Sequence, residues 1–171
     1  MGRLLAVEGI TVVYGGGARG LMGLMADSAL GAGGRVIGVL PRGLFHREVA
    51  HRGISELIEV DTMHERKLLM YELSDAFLAL PGGIGTLEEL TEMLSWANLG
   101  LHDRPVVTFN VDGFWDPFHR LLAHAVEAGF VDDVSLQVVT DVHSLGEILP
   151  ALRRPPLRAG TAPAPIGLDQ T

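Results

Sequence analysis

The stretch that most constrains this chain is Asp75-Ala76-Phe77-Leu78-Ala79-Leu80-Pro81-Gly82-Gly83-Ile84-Gly85-Thr86-Leu87-Glu88-Glu89-Leu90. It reads as a buried strand, a glycine turn and the first turn of a helix. Ala76–Leu80 is the apolar strand, and Pro81 ends it by removing a ladder donor. Gly82, Gly83 and Gly85 carry no Cβ, so the backbone there can take positive φ and approach a ligand closely. Thr86 opens a helix whose free N–H groups and positive dipole end face the turn. These parts form an anion cradle, and the usual anion is a phosphate. Glu88 and Glu89 set carboxylates beside whatever that phosphate carries. The competing reading is a capping box, Thr86-x-x-Glu89, in which both side chains only finish the helix start. Three glycines in four positions exceed what capping needs, which favours a ligand.

Composition narrows the function classes. A chain of 171 residues with 47% hydrophobic content suits one compact α/β domain over residues 1–152, with apolar surface to spare for an oligomer. A net charge of −8 argues against a general nucleic-acid binder, which would show a basic face. The chain has no cysteine, which removes disulfides and thiolate metal sites. No signal peptide and no membrane-spanning run is visible, so a cytoplasmic protein is expected.

In chain order, Arg3–Glu8 reads as a helix end closed by Gly9, and Ile10–Tyr14 as a β-branched strand. The strand runs into Gly15-Gly16-Gly17-Ala18-Arg19-Gly20-Leu21-Met22-Gly23, and Leu24–Gly31 continues a helix. Arg35–Leu40 is a strand stopped by Pro41, followed by a polar stretch, Arg42–Gly53. Ile54–Val60 is a strand, and Asp61 can cap a helix over Thr62–Ser74. Beyond the central turn come a helix to about Leu99, a strand at Pro105–Asn110 and a helix at Trp115–Ala128 ended by Gly129. A last strand at Leu136–Thr140 and a helix at Ser144–Leu152 follow. From Arg153 to Thr171 composition predicts a disordered tail. Alternation of strands and helices predicts a Rossmann-like, doubly wound parallel sheet with helices on both faces. Ligands of such sheets bind beyond the strands' carboxyl ends, where both glycine turns lie.

Gly15-x-Gly17-x-x-Gly20 matches the dinucleotide fingerprint, but the next strand ends Gly38-Val39-Leu40-Pro41 without the acid that would hold ribose hydroxyls. A smaller ligand or tight helix packing explains the turn better. In Thr62-Met63-His64-Glu65-Arg66-Lys67, the chain's one lysine stands next to an arginine whose planar fork suits phosphate or carboxylate. Spacing alone leans toward both cations being solvated and paired with Asp61, Glu65 or Glu72. Glu48, a loop acid, could grip ribose hydroxyls or be an exposed charge. His64 alone reads as a packed or surface histidine rather than a ligand, and no histidine spacing backed by carboxylates suggests a metal. Leu90, Met93, Trp96 and Leu99 form an apolar stripe suited first to core packing and second to a subunit contact.

Three stretches together resemble the LOG ("Lonely guy") family: Val13–Gly17 with Gly20-Leu21-Met22-Gly23, Met63-His64-Glu65-Arg66-Lys67, and Pro81–Glu89. The likeness runs from about Leu4 to Leu152. It implies a Rossmann-like fold, a homodimer with the site near the subunit contact, and no cofactor. It also implies hydrolysis of the N-glycosidic bond of a prenylated adenosine 5′-monophosphate, giving the free base (a cytokinin) and ribose 5-phosphate. By position, Arg66 and Glu89 correspond to the family's catalytic pair. Glu48, Arg66, Lys67, Gly82, Gly83, Ile84, Gly85, Thr86, Leu87 and Glu88 correspond to substrate-binding positions. Ser95 falls where many members have threonine and keeps the hydroxyl. No metal is implied. Members begin with a further strand, a Gly-Ser-Ser turn and a helix ahead of Leu4, so a start upstream of Met1 is expected.

That chemistry suits the residue types. Glycosidic cleavage builds positive charge on the ribose, which Glu89 can stabilise, or it can activate water. A fixed 5′-phosphate positions the sugar. Arg66 can clamp ribose or phosphate, or assist the departing base. Adjacent helical residues point about 100° apart, so Glu88 and Glu89 do not face one atom. The older lysine decarboxylase label of such proteins would need pyridoxal phosphate on a lysine, and the sole candidate, Lys67, lies inside a binding motif. The alternatives are a general AMP nucleosidase and a nucleotide or cofactor carrier that binds without hydrolysis.

Overall fold

A computed structural model describes residues 1–42, 50–131 and 137–154. The chain divides between Ser74 and Asp75 into two compact units, each an α/β arrangement around a parallel three-stranded sheet. The expected α/β class therefore holds, with helices on both sides of parallel sheets.

The first unit runs α1 (Gly2–Val7), β1 (Val12–Tyr14), α2 (Gly20–Leu30), β2 (Val36–Pro41), β3 (Glu56–Val60) and α3 (Met63–Glu72). Its sheet order is β1-β2-β3, with Val12 opposite Val36 and Ile37 opposite Glu56. All six residues of β2 are buried, as expected for an apolar run with a strand on each side. Pro41 is the last residue of β2 rather than its stop. Gly9, at φ 70°, follows the end of α1, the usual left-handed helix exit. α2 begins at Gly20, four residues before Leu24. The cap of α3 is Thr62 and not Asp61: Thr62 Oγ1 accepts from the Glu65 N–H at 3.1 Å, and Glu65 Oε2 accepts from the Thr62 N–H at 3.3 Å. Glu65 also accepts the Asp61 N–H at 2.8 Å, so Asp61 supplies a donor to the box.

The second unit runs β4 (Phe77–Ala79), α4 (Ile84–Asn98), β5 (Val106–Phe109), a short 3₁₀ turn (Val111–Gly113), α5 (Asp116–Glu127), β6 (Val139–Val142) and α6 (Leu145–Leu152). The sheet order is β4-β5-β6. Central β5 buries Val106, Val107 and Thr108, whereas β4, at the end of the order, is only half-buried. The expectation of a fully buried β4 is thus corrected by its place in the sheet. β6 lies later than Leu136–Thr140, because its register sets Val139 beside Val106 and Val142 beside Phe109. Asp141, a charged residue inside the strand, interrupts the apolar run that ends at Thr140. Asp141 is accommodated by hydrogen bonds from Thr108 and Asn110. Arg153 caps α6, and residues 155–171 of the expected tail lie outside the described residues. No described helix is long and apolar enough to cross a membrane.

Candidate functional site

The turn after β4 places its helix differently from the sequence expectation. α4 starts at Ile84, with Gly83 as its cap residue and no side-chain cap. Thr86 is therefore already helical, and Glu89 lies in the second turn. Thr86-x-x-Glu89 is not a capping box, which removes the competing explanation of both residues. The first N–H groups, which have no partner within the helix, lie at the positive end of a 15-residue helix.

None of the three glycines here takes positive φ; Gly83 is extended, at φ −91° and ψ −158°. Their value is space. A Cβ on Gly82 would overlap Thr86 Oγ1 and stand 2.8 Å from Thr86 Cβ. Gly82 thus lets the Thr86 side chain fold back against the turn. A Cβ on Gly83 or Gly85 would meet nothing within 4 Å. Both glycines and Ile84 are exposed, Ile84 at 82%. Thr86, Leu87 and Glu89 are half-buried, whereas Glu88 is exposed. Successive positions one helical step apart explain the split between the two acids. Ser95 is exposed further along α4. The apolar stripe divides: Leu90 and Met93 are buried, Trp96 is half-buried and Leu99 is 63% exposed.

In the first unit, Arg66 is only 7% exposed, which overturns the expectation of a solvated arginine. The sequence signal for this lay in the other glycine turn. A Cβ on Gly15 would overlap Arg66 Nη2 and lie 2.9 Å from Cζ. Arg66 Nη1 also stands 3.8 Å from Met63 Sδ, one turn back on α3. Lys67 is half-buried and His64 exposed. Glu48 lies outside the described residues.

Gly16, at φ 77°, and Gly20, at φ 62°, hold the left-handed bends of the first turn. The Gly16 carbonyl accepts the His51 N–H at 2.9 Å, and Gly17 pairs with Ala50 in an isolated bridge. His51 Nε2 lies 2.9 Å from Asp27 Oδ1 on α2. Tyr14, 6% exposed, precedes the turn with a buried hydroxyl that has no hydrogen-bond partner among the described residues. Burial, reinforced by the charge of Asp27, raises its pKa to about 12.

Sequence reasoning missed a polar cluster at the carboxyl ends of β5 and β6. Thr108 Oγ1 donates to Asp141 Oδ1 at 2.6 Å, and Asn110 Nδ2 donates to Asp141 Oδ2 at 2.8 Å and to Asp116 Oδ1 at 2.7 Å. Asn110 Oδ1 accepts the Trp115 N–H at 2.8 Å. His119 Nε2 lies 3.2 Å and His143 Nε2 3.5 Å from the same aspartate. Burial of Asp141 opposes ionisation, but its two hydrogen bonds and the neighbouring histidines hold the carboxyl below the usual range. The residues are too far apart in sequence to form a motif, which is why no spacing announced them. Every named group has a partner, so the cluster reads as a lock on the β5–β6 pair. Among the described residues, no group of three or more His, Asp or Glu side chains is placed to hold a metal.

Comparison with known proteins brings these features together. Residues 22–152 match the family model described as "Possible lysine decarboxylase". The cytokinin riboside 5′-monophosphate phosphoribohydrolase LOG of Oryza sativa subsp. japonica is 45% identical over 149 residues, covering 87% of this chain and 62% of that protein. The enzyme of the same name from Rhodococcoides fascians is 43% identical over 156 residues, or 91% of this chain and 79% of that one. The chain thus spans less than two thirds of the rice protein's length and more of the bacterial one's. Among solved structures, the molybdenum cofactor binding protein of Rippkaea orientalis superposes with a TM-score of 0.64 at 26% identity, covering 87% of this chain and 79% of that chain. The molybdenum cofactor carrier protein of Chlamydomonas reinhardtii reaches the same TM-score at 22% identity and shares the fold. With three matching motifs, a family model over most of its length and relatives above 40% identity, the chain belongs to the LOG family.

Proposed function

We propose that this protein hydrolyses the N-glycosidic bond of adenosine 5′-monophosphates bearing a prenylated base, releasing the base and ribose 5-phosphate. The observation that carries the reading is the uncapped start of α4, with open space over Gly83 and Gly85. Bare amides at a helix N-terminus suit a 5′-phosphate. With the cap position taken by Gly83, Glu89 has no capping role. The names of the similar rice and bacterial enzymes support the same substrate class.

In this reading the phosphate sits against the turn from Gly82 to Thr86, with Leu87, Glu88 and Ser95 of the same helix as further substrate-binding positions; Glu48 and Lys67 join them on the family resemblance alone. Glu89 stabilises positive charge on the ribose as the bond breaks, or draws a proton from attacking water. Arg66 supplies a fixed positive charge to the phosphate, the ribose or the departing base. No cofactor or metal takes part. Decarboxylation through pyridoxal phosphate would make Lys67 the anchoring amine, at a position the binding motif already uses. A homodimer fits the exposure of Ile84 and Leu99 at the two ends of α4, and light scattering at micromolar concentration tests it.

Incubation with isopentenyladenosine monophosphate and with AMP, followed by chromatography, tests the activity. Release of base and ribose 5-phosphate from the prenylated nucleotide is expected. Equal rates on AMP would make the protein a general nucleotide nucleosidase. A second reading, binding without turnover, is favoured by the likeness to the molybdenum cofactor binding protein. Tight nucleotide or cofactor binding with no base released from either substrate would establish it.

A further inference from the structure

We propose that Gly15 is the positioning residue for Arg66: the side chain it lacks is the seat in which the guanidinium lies. The first glycine turn then holds the protein's own cation, not a nucleotide's phosphate. The inference rests on the reading of Arg66 as a catalytic group.

Three observations converge on it. A Cβ on Gly15 would overlap Nη2, stand 2.9 Å from Cζ and 3.4 Å from Nε, so its three nearest neighbours all belong to Arg66. Gly15 is not among the glycines with positive φ. Its backbone would accept an L side chain, and only the space forbids one. Arg66 is 7% exposed, so a guanidinium pushed from this seat loses a largely enclosed position.

The neighbouring glycines serve other ends. Gly16 needs its left-handed bend, and a Cβ there would face Leu57 and Leu40 at 3.3 and 3.4 Å. Gly23 is required by the Ala18 carbonyl, which a Cβ would overlap. Gly15 alone of these answers to Arg66. Its obstacle is the far end of a flexible side chain and not backbone, so an alanine would shift the arginine before it disturbed the fold. A displacement of this size at a reacting centre can cost about 100-fold in rate.

The test compares Gly15→Ala, Arg66→Ala and the double variant with the unaltered protein. Base release from isopentenyladenosine monophosphate, thermal midpoint and the Arg66 Nε–H resonance of ¹⁵N-arginine-labelled protein are measured. Gly15→Ala is expected to lower kcat about 100-fold, to move the Arg66 resonance and to keep a near-normal midpoint. The double variant should be no slower than Arg66→Ala, because two changes acting through one group do not add. Millimolar guanidinium should restore part of the activity of Arg66→Ala and none to the double variant, whose seat is filled. An unmoved resonance with unchanged kcat in Gly15→Ala would overturn the proposal while leaving Arg66's role intact. A fully active Arg66→Ala would instead defeat the catalytic reading of the arginine. If Gly15→Ala is destabilised, recovery of the midpoint in the Arg66→Ala background upholds the seat, and persistent instability overturns it.

Discussion

The two glycine turns begin alike and end differently. Each follows the carboxyl end of a short strand and leads into a helix of more than ten residues. In the turn after β1, the space at Gly15 is filled from within by Arg66 and that at Gly16 by Leu57 and Leu40, while Gly20, where the helix begins, has nothing within 4 Å. In the turn after β4, Gly83 and Gly85 look onto open space, and only Gly82 is occupied, by Thr86. The first turn carries left-handed bends at Gly16 and Gly20, and the second carries none. Glycine therefore does separate work in the two places. At the first it permits internal packing and sharp bends; at the second it leaves open space beside the main chain at Gly83 and Gly85.

The largest effect expected from this contrast is on Glu89. If the open turn is the working one, Glu89→Gln should lower base release by about 10²–10⁴-fold, the usual contribution of a positioned acid or base. The helix itself should persist in circular dichroism, because Gly83 and not Glu89 makes the helix start. Ribose 5-phosphate should still bind, as calorimetry can measure. Retained turnover would break the comparison by removing chemistry from the second turn.

Next comes Gly38→Ala, which probes the packed turn. A Cβ there would stand 2.6 Å from Ile54 Cδ1 and 2.8 Å from the Gly16 Cα. The second of these is backbone that cannot swing aside. Overpacking of this kind costs about 1–3 kcal/mol, readable as a lowered urea midpoint. A neutral result would show the first turn to be looser than its contacts imply.

Much of this arrangement was legible from residue order. The apolar runs at β2 and β5, the helices between them and the glycine turns follow from pattern and strand propensity. What pattern could not give was how the turns are occupied. Whether a glycine needs positive φ or simply vacant space depends on neighbours distant in sequence, such as Arg66 for Gly15. Burial of Arg66 was hidden for the same reason, since helical spacing sees only its own helix. β6 was misplaced because Asp141 looks like a strand breaker until Thr108 and Asn110 bind it. Capping box grammar pointed to Thr86, whereas the helix began two residues sooner at a glycine-flanked isoleucine.

Tyr14 offers a smaller test of the packed side. Its buried hydroxyl has no hydrogen-bond partner among the described residues, so Tyr14→Phe should change stability by no more than about 1 kcal/mol, and in the favourable direction. The pH dependence carries the sign. Because the folded pKa is raised from 10.0 to about 12, the neutral phenol's contribution is complete below pH 10 and is lost as pH rises toward 12. Unfolding free energies at about pH 8 and about pH 11 should therefore differ less in the phenylalanine variant. An equal difference would mean that Tyr14 ionises as freely folded as unfolded.

The smallest effect on stability, and the sharpest test of the open side, belongs to Gly85→Ala. Gly85 is the second residue of α4, its φ is not positive, and a Cβ would meet nothing within 4 Å. Alanine there should stabilise the fold by about 0.5 kcal/mol, since it loses less backbone freedom in a helix than glycine. The same methyl would occupy space over the bare amides and push a phosphate outward. Ribose 5-phosphate affinity should fall about tenfold, equivalent to about 1.4 kcal/mol. Stability and binding moving in opposite directions is what an opening kept clear for a ligand predicts. If Gly85→Ala gains stability with no loss of affinity, the space over that turn is simply empty, and the two turns differ in packing but not in purpose.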